Sequence, residues 1–260
     1  MKERRLAKKK LLLFDLDGVF YKGKEERVKI GGSEAIGAAR RTGKLLYILT
    51  NNSTDSVETI HSRLVEFDIP VKIEEILSSA LLTAEYIHQK FGTVTYYLVG
   101  EKGLDSEMKK YGHRRSSGRN ADLVVVGLDR EVTYGKLDTA VRLIREGAGL
   151  VATHSAKLYM YKTGPAIATG PIVKAIEYGS GRRATVIGKP SPLMFSIALK
   201  RAGCKREDAV MIGDQVDTDV AGAARSGIDS VLVTSGVDQS AQGYRPLAII
   251  SNVDDIASML

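Results

Sequence analysis

Leu11-Leu12-Leu13-Phe14-Asp15-Leu16-Asp17-Gly18 decides how the rest of the chain is read. Four apolar residues in a row predict a buried strand, and two carboxylates stand at its C-terminal end. In open α/β sheets that end is where ligands bind. Alternation along an extended chain starts Asp15 and Asp17 on one side, and Gly18 permits a sharp turn beneath them. Carboxylates this close repel unless a cation or a proton intervenes. The pair is therefore a candidate reaction centre.

Outward from this stretch, strand-like and helix-like segments alternate. Apolar runs at Leu45–Thr50, Thr95–Val99, Leu123–Val126, Leu150–Thr153, Thr185–Ile187, Ala209–Ile212, Ser230–Val233 and Leu247–Ile250 predict strands. Between them, helical patterns occupy Ser56–Phe67, Thr83–Phe91, Leu104–Tyr111, Lys136–Arg145, Pro192–Arg201 and Thr218–Arg225, and another helix begins over Ile172–Glu177. This repeating order predicts an α/β fold with parallel sheets covered by helices. The strands are too many for one small sheet, so two layered units are expected.

A chain of 260 residues, 43% hydrophobic and 27% charged, is ordinary for a globular protein with a large core. Its sole cysteine, Cys204, excludes an intrachain disulfide framework and fits a cytoplasmic location. No apolar stretch approaches the roughly 20 residues that span a bilayer, so no membrane partner is expected. The sequons around Asn51-Asn52-Ser53-Thr54 carry no meaning in that compartment. The net charge of +7 includes a cluster of Lys2, Arg4, Arg5, Lys8, Lys9 and Lys10, read as a solvated tail. With no zinc-finger spacing, no helix-turn-helix signature and only 6% aromatic residues, nucleic acid is not an expected partner. Positive potential can still steer a small phosphorylated substrate to a cleft. The four histidines show no metal-binding spacing, and neither a Walker A loop nor a full dinucleotide fingerprint occurs.

Four predicted strands end in polar groups of complementary type. The first delivers Asp15 and Asp17; the second Thr50 and Asn51, a hydroxyl and an amide suited to phosphate oxygens. Val186-Ile187-Gly188 delivers Lys189, and Val210-Met211-Ile212 delivers Gly213-Asp214, followed by Asp217 and Asp219. Each alone reads as a turn former or a solvated lysine. Four together in one chain read as a site.

Phe14-Asp15-Leu16-Asp17-Gly18-Val19, Leu49-Thr50-Asn51-Asn52-Ser53, Gly188-Lys189-Pro190 and Gly213-Asp214 with Thr218-Asp219 resemble, in order, the four motifs of the haloacid dehalogenase superfamily. The combination resembles its NagD-like, 4-nitrophenylphosphatase branch, and Val125-Val126-Gly127-Leu128-Asp129 with Tyr134 and Leu137 is similar to that branch's α/β cap. The resemblance implies a Rossmann-like three-layer core from residues 1–79 and 180–260, with an inserted cap at 80–179. It implies a Mg²⁺-dependent phosphatase of small phosphomonoesters, such as sugar or glycerol phosphates, with 4-nitrophenyl phosphate as surrogate.

By the same resemblance, Asp15 is the nucleophile that forms an aspartyl-phosphate, and Asp17 is the general acid and then base. Lys189 offsets charge on the transferring group. Thr50, Asn51 and Gly18 bind phosphate, and Asp15, the Asp17 backbone carbonyl and Asp214 hold the metal. Asp219 supports Lys189 or a metal-bound water, while Asp217 is solvated. The cap closes over the core, and a homodimer through the cap is implied. From their place just after the nucleophile loop, Tyr21 and Gly23 read as a mobile flap, with a plain turn at Gly23 the alternative. The cap segment departs from the branch. Where relatives carry Thr-Asn-x-Asp-x-x-x-Pro, this chain reads Thr153-His154-Ser155-Ala156-Lys157-Leu158-Tyr159-Met160. His154, Lys157, Tyr159, Tyr161 and Lys162 are thereby candidates for leaving-group contacts. A phosphomutase shares the Asp15–Asp17 pair and is the enzymatic alternative; a basic nucleic-acid-binding protein on a degenerate hydrolase fold is the non-enzymatic one.

Overall fold

The computed structural model describes residues 2–23, 27–161 and 164–260. In chain order the elements are α1 (Lys2–Ala7), β1 (Leu11–Phe14), β2 (Tyr21–Lys22), β3 (Val28–Lys29), α2 (Ser33–Arg41), β4 (Leu45–Thr50) and α3 (Val57–Glu66). Next come β5 (Ile76–Ser78), α4 (Ser79–Phe91), β6 (Thr95–Val99), α5 (Lys102–Lys110), β7 (Arg114–Arg115), β8 (Leu123–Val126), α6 (Tyr134–Arg145) and β9 (Gly149–Ala152). The rest are β10 (Leu158–Tyr161), β11 (Gly164–Ile167), α7 (Thr169–Ser180), β12 (Thr185–Val186), α8 (Pro192–Ala202), β13 (Ala209–Gly213), α9 (Ala221–Ser226), β14 (Asp229–Val233) and β15 (Ala248–Ile250).

Two parallel sheets organise these elements. The first runs β15-β14-β13-β1-β4-β5 and the second β12-β9-β8-β6-β7. All four residues of β1 are fully buried, as expected of a parallel strand covered on both faces. Leu12 and Phe14 pack into a cluster with α2 and α3, while Leu11 and Leu13 face a cluster with α4 and α8. This is a three-layer core. Strand β1 has β4 on one side and β13 on the other, so the sheet order reverses beside it and opens a crevice at its C-terminal end.

Helix α4 joins the two sheets. Its Ala80, Leu82, Ala84 and Ile87 belong to one apolar cluster with Leu13 and Met211 below and Tyr96, Leu123 and Val151 of the second sheet above. The second sheet's other face packs on α6 and α7. The second sheet is thus docked on the first through a shared core. A rigid-body opening would expose that apolar surface, at roughly 25 cal/mol per Å².

Several expectations need correction. Thr185–Val186 pairs with β9 in the second sheet, not with the core, so the strand that delivers Lys189 leaves the inserted unit's edge. A two-residue strand carries no label for the sheet it joins. The helix α2 and strand β5 were not anticipated: Ser33–Arg41 carries one large apolar residue, Ile36, and so shows little apolar periodicity, and β5 has only three residues. The Gly/Pro-containing stretch after β9 forms the antiparallel hairpin β10–β11. The basic start is not a solvated tail throughout. Leu6 is fully buried, and Lys9 is 4% exposed, held by Asp229 at 2.6 Å and by the Glu207 carbonyl at 2.6 Å. Arg5 shares Asp229, and Lys10 pairs with Asp208.

Candidate active site

The ends of β1, β4 and β13 and the loop after β12 converge on a cavity of about 820 Å³. Parallel pairing sets Phe14 beside Ile48 and Ile212, so the residues following each strand emerge side by side. Asp15 remains in line, its N–H donating to the Ile212 carbonyl at 2.8 Å. Lys189 Nζ lies 2.6 Å from Asp15 Oδ1 and 2.6 Å from Asp219 Oδ1. Lys189 is 2% exposed, and its two carboxylate partners hold its ammonium well above the usual lysine range despite burial. Asp219 Oδ2 accepts from the Gln215 N–H at 3.1 Å. Its side chain packs so close to Gly213 that any Cβ there would collide with it.

Asp214 is fully buried. Its Oδ2 accepts from the Val237 N–H at 2.8 Å, while its Oδ1 has no hydrogen-bond partner among the described residues. Burial first, then Asp15 and Asp219, drive its carboxyl well above the usual range. Burial likewise raises Asp15 to about 6, with Lys189 opposing. Carboxylate oxygens of Asp15, Asp214 and Asp219 lie within 4.8 Å of one another. One lysine against three carboxylates leaves two negative charges uncompensated. An orphaned buried oxygen and this charge deficit fit a hard divalent cation with oxygen ligands. Asp17's carboxylate stands outside that cluster, half-buried, on the cavity wall.

Other anticipated residues take different parts. Gly18 has φ +84, and a Cβ there would overlap Asp214 Oδ2; no side chain is tolerated at this approach. Its N–H, however, donates to the Tyr21 carbonyl at 2.7 Å, so it is not available to phosphate. Thr50 is 1% exposed and lines the cavity. Its Oγ1 accepts from the Asn52 N–H at 3.1 Å, which leaves its hydroxyl proton to donate elsewhere. The Asn51 side-chain amide donates to the Lys189 carbonyl at 2.9 Å and so ties two motif loops together. His154 also lines the cavity, but its Nδ1 accepts from the Ala156 N–H at 3.3 Å, and its Nε2 meets Thr169 Oγ1 at 2.9 Å. With Nδ1 an acceptor, Nε2 carries the proton and donates it to Thr169. Both nitrogens are spent inside the cap, against the expected contact with substrate.

Tyr21 is fully buried, with Arg63 donating to its hydroxyl at 3.4 Å. It is an anchor, not part of a flap. Asp217 is exposed, as expected, and lies 3.8 Å from the equally exposed Lys157. Tyr159 and Tyr161 stand edge to face, ring centroids 6.0 Å apart, on the cavity's cap side. Lys162 and the Met160 side chain fall outside the described residues.

The loop after β14 was missed. Gly236 approaches Asp214 so closely that a Cβ would overlap its carboxylate. Ser235 Oγ donates to the Gly18 carbonyl at 2.8 Å. Asp238 accepts from the Val216 N–H at 2.7 Å and donates its own N–H to the Asp214 carbonyl at 3.1 Å. The signal was present: Thr234-Ser235-Gly236 is a fifth polar strand end. The turn that carries Asp219 is π-helical, Val216–Val220, before α9 begins; such bulges recur at functional sites.

Comparison with known proteins agrees with this geometry. Residues 12–114 match the haloacid dehalogenase-like hydrolase family, and residues 186–256 match the HAD-hydrolase-like family. An acid sugar phosphatase of Staphylococcus epidermidis is 33% identical over 225 residues, 86% of each chain. Among solved structures, the 4-nitrophenylphosphatase of Thermotoga maritima superposes with a TM-score of 0.90 at 30% identity, covering 98% of both chains. The p-nitrophenyl phosphatase of Archaeoglobus fulgidus gives a TM-score of 0.90 at 30% identity, covering 97% of this chain and 99% of its own. A buried acidic cluster at the end of β1, two family matches and full-length likeness converge: the chain belongs to the haloacid dehalogenase-like hydrolases, in their NagD-like, 4-nitrophenylphosphatase branch.

Proposed function

We propose that the protein is a Mg²⁺-dependent phosphatase that hydrolyses small sugar or glycerol phosphates through an aspartyl-phosphate at Asp15. The observation that carries this reading is Lys189, bridging Asp15 and Asp219 at 2.6 Å each beside the orphaned Asp214 Oδ1. Asp15 Oδ2 attacks phosphorus, and the bond to the leaving-group oxygen breaks. Asp17, on the cavity wall, delivers a proton to that oxygen and later takes one from the hydrolytic water. Lys189 holds Asp15 in line and offsets charge on the phosphoryl oxygens. Thr50 donates its free hydroxyl proton to one of those oxygens. Asp219 positions Lys189. Asp15, Asp214 and the Asp17 carbonyl would hold the cation, which when bound offsets the negative charge of carboxylates and phosphate.

We place the core at residues 1–79 and from about 187 onward, with the cap between them, because β12 pairs in the second sheet. The test is hydrolysis of 4-nitrophenyl phosphate and glycerol phosphate with Mg²⁺ present. Free phosphate must appear, and it must vanish in Asp15→Asn and in chelator-treated protein. Undiminished turnover in either case, or phosphate moved within one sugar and never released, overturns the reading.

A further inference from the structure

Thr50 ends β4, and the chain then runs through 51–56 into α3. The cap grips this loop from outside. The Gly103 N–H in α5 donates to the Thr54 carbonyl at 3.2 Å. The helix lies so close that a Cβ at Gly103 would overlap the Thr54 peptide and sit 2.6 Å from the Asp55 carbonyl carbon. One turn further along the same face, Glu107 is 1% exposed, and its Oε1 accepts from the Val57 N–H at 3.0 Å. Lys110 neutralises Glu107 at 2.9 Å. From the loop after β8, the Leu128 N–H donates to Ser53 Oγ at 3.1 Å, a buried bond.

These contacts complete a helix cap with parts from two units. In α3 the Ser56 hydroxyl accepts from the Thr59 N–H at 3.3 Å, a long bond at an exposed site. The first N–H of the helix, that of Val57, goes instead to Glu107, and a carboxylate there is also favoured by the helix dipole. Inside the loop, Asn52 Oδ1 accepts from the Thr54 and Asp55 N–H groups at 2.9 and 3.0 Å. The Asn52 N–H in turn donates to Thr50 Oγ1. Hydrogen bonds therefore run from Gly103 through Thr54 and Asn52 to the Thr50 hydroxyl. Glu107 holds the same loop at its far end through Val57, and the lone pair that Asn52 occupies narrows the directions in which the Thr50 proton can point.

We propose that helix α5 of the cap is a positioning element for phosphate binding, with Gly103 and Glu107 setting the loop that aims Thr50. This rests on the phosphatase reading above. Neither residue lines the cavity, so neither touches substrate. The cap is then more than a roof, because removing it would also release the phosphate loop.

Glu107→Ala, Glu107→Gln and Gly103→Ala test the idea, with inorganic phosphate as competitive inhibitor and 4-nitrophenyl phosphate as substrate, well below each variant's melting temperature. Glu107→Ala is expected to raise the phosphate inhibition constant and KM together, about tenfold, with a smaller change in kcat. Glu107→Gln keeps an acceptor for the Val57 N–H and is expected to restore both constants. Glu58→Gln, which removes the charge of the exposed partner of Lys110 and leaves Glu107 in place, is the control and changes neither. If Gly103→Ala fails to fold, the Glu107 pair still decides. Unchanged phosphate binding in a folded Glu107→Ala overturns the inference and leaves the phosphatase reading intact. Wild-type protein that neither hydrolyses the ester nor binds phosphate overturns both.

Discussion

The floor of the cavity and its cap-side wall are built on opposite principles. On the floor, Asp15, Lys189, Asp214 and Asp219 are all buried, and Lys189 binds two of the carboxylates at hydrogen-bond distance. Gly18, Gly213 and Gly236 press against those carboxylates with no room for a side chain. On the wall, the β10–β11 hairpin presents Leu158, 54% exposed, followed along its strand by Tyr159 and Tyr161. The floor cannot change one group without unbalancing its neighbours. The wall can change side chains freely. Chemistry is therefore expected to be fixed below and substrate choice to be set above.

The largest effect should come from the floor. Asp15→Asn is expected to lower kcat for 4-nitrophenyl phosphate by about 10³-fold or more, since no nucleophile remains. Lys189→Met should cost about 10²- to 10³-fold in kcat. It should also lower stability by about 3–5 kcal/mol in metal-free protein, because buried carboxylates lose their counter-charge; denaturant titration reads this. A loss confined to KM would break the assignment of Lys189 to charge developed in the reaction.

Cation removal gives the next effect, and its sign follows from protonation. Burial raises the carboxyls of Asp15, to about 6, and Asp214 above their unfolded values. For a raised carboxyl, stability is fully present below the unfolded pKa and is lost as pH rises through the folded one. Metal-free protein should thus lose the Asp15 part of this contribution between about pH 4 and pH 6, and the Asp214 part as pH rises further above the usual carboxylate range. Protons compete with the cation for the same oxygens. The rise in melting temperature on adding Mg²⁺ should therefore be greater at pH 7.5 than at pH 5, and small in Asp214→Asn. An equal rise at both pH values would contradict a site made of these carboxylates.

The wall should respond differently. Tyr159→Ala and Tyr161→Ala are expected to shift the ratio of kcat/KM between 4-nitrophenyl and glycerol phosphate by up to about tenfold, with kcat for either substrate falling less. At the exposed Lys157–Asp217 contact, Asp217→Asn should change stability by less than about 0.5 kcal/mol and leave turnover unchanged. A wall substitution that matched Asp15→Asn in severity would erase the distinction between the two regions.

The same division explains what could be read from the sequence. Strand β1 and its carboxylates were legible because burial and strand-end position are local properties of Leu11–Gly18. For Asp219 the family pattern offers two partners, Lys189 or a metal-bound water, and the 2.6 Å contact is with Lys189. The place of β12 did not, because pairing partners of two residues are settled by distant chain. Lys9 was misread for a similar reason: its anchor, Asp229, lies far along the sequence. His154 is a candidate for substrate contact by its place in the altered cap segment, yet its bonds to Ala156 and Thr169 depend on how the hairpin folds back. The loop 234–238 reads as a fifth polar strand end, but which of its groups reach Asp214 is settled only when β13 and β14 lie side by side.

The central claim is that Asp15, not Asp17, takes the phosphoryl group. Asp17→Asn protein turning over 4-nitrophenyl phosphate, whose leaving group needs little protonation, should accumulate the intermediate. After acid quench, borohydride reduction converts an acyl phosphate to an alcohol. Sequencing the peptide Leu11–Lys22 by mass spectrometry should find the reduced residue at position 15 and an unmodified Asn at position 17. A label elsewhere in the chain, or burst release of 4-nitrophenol with no labelled residue at all, would contradict the account.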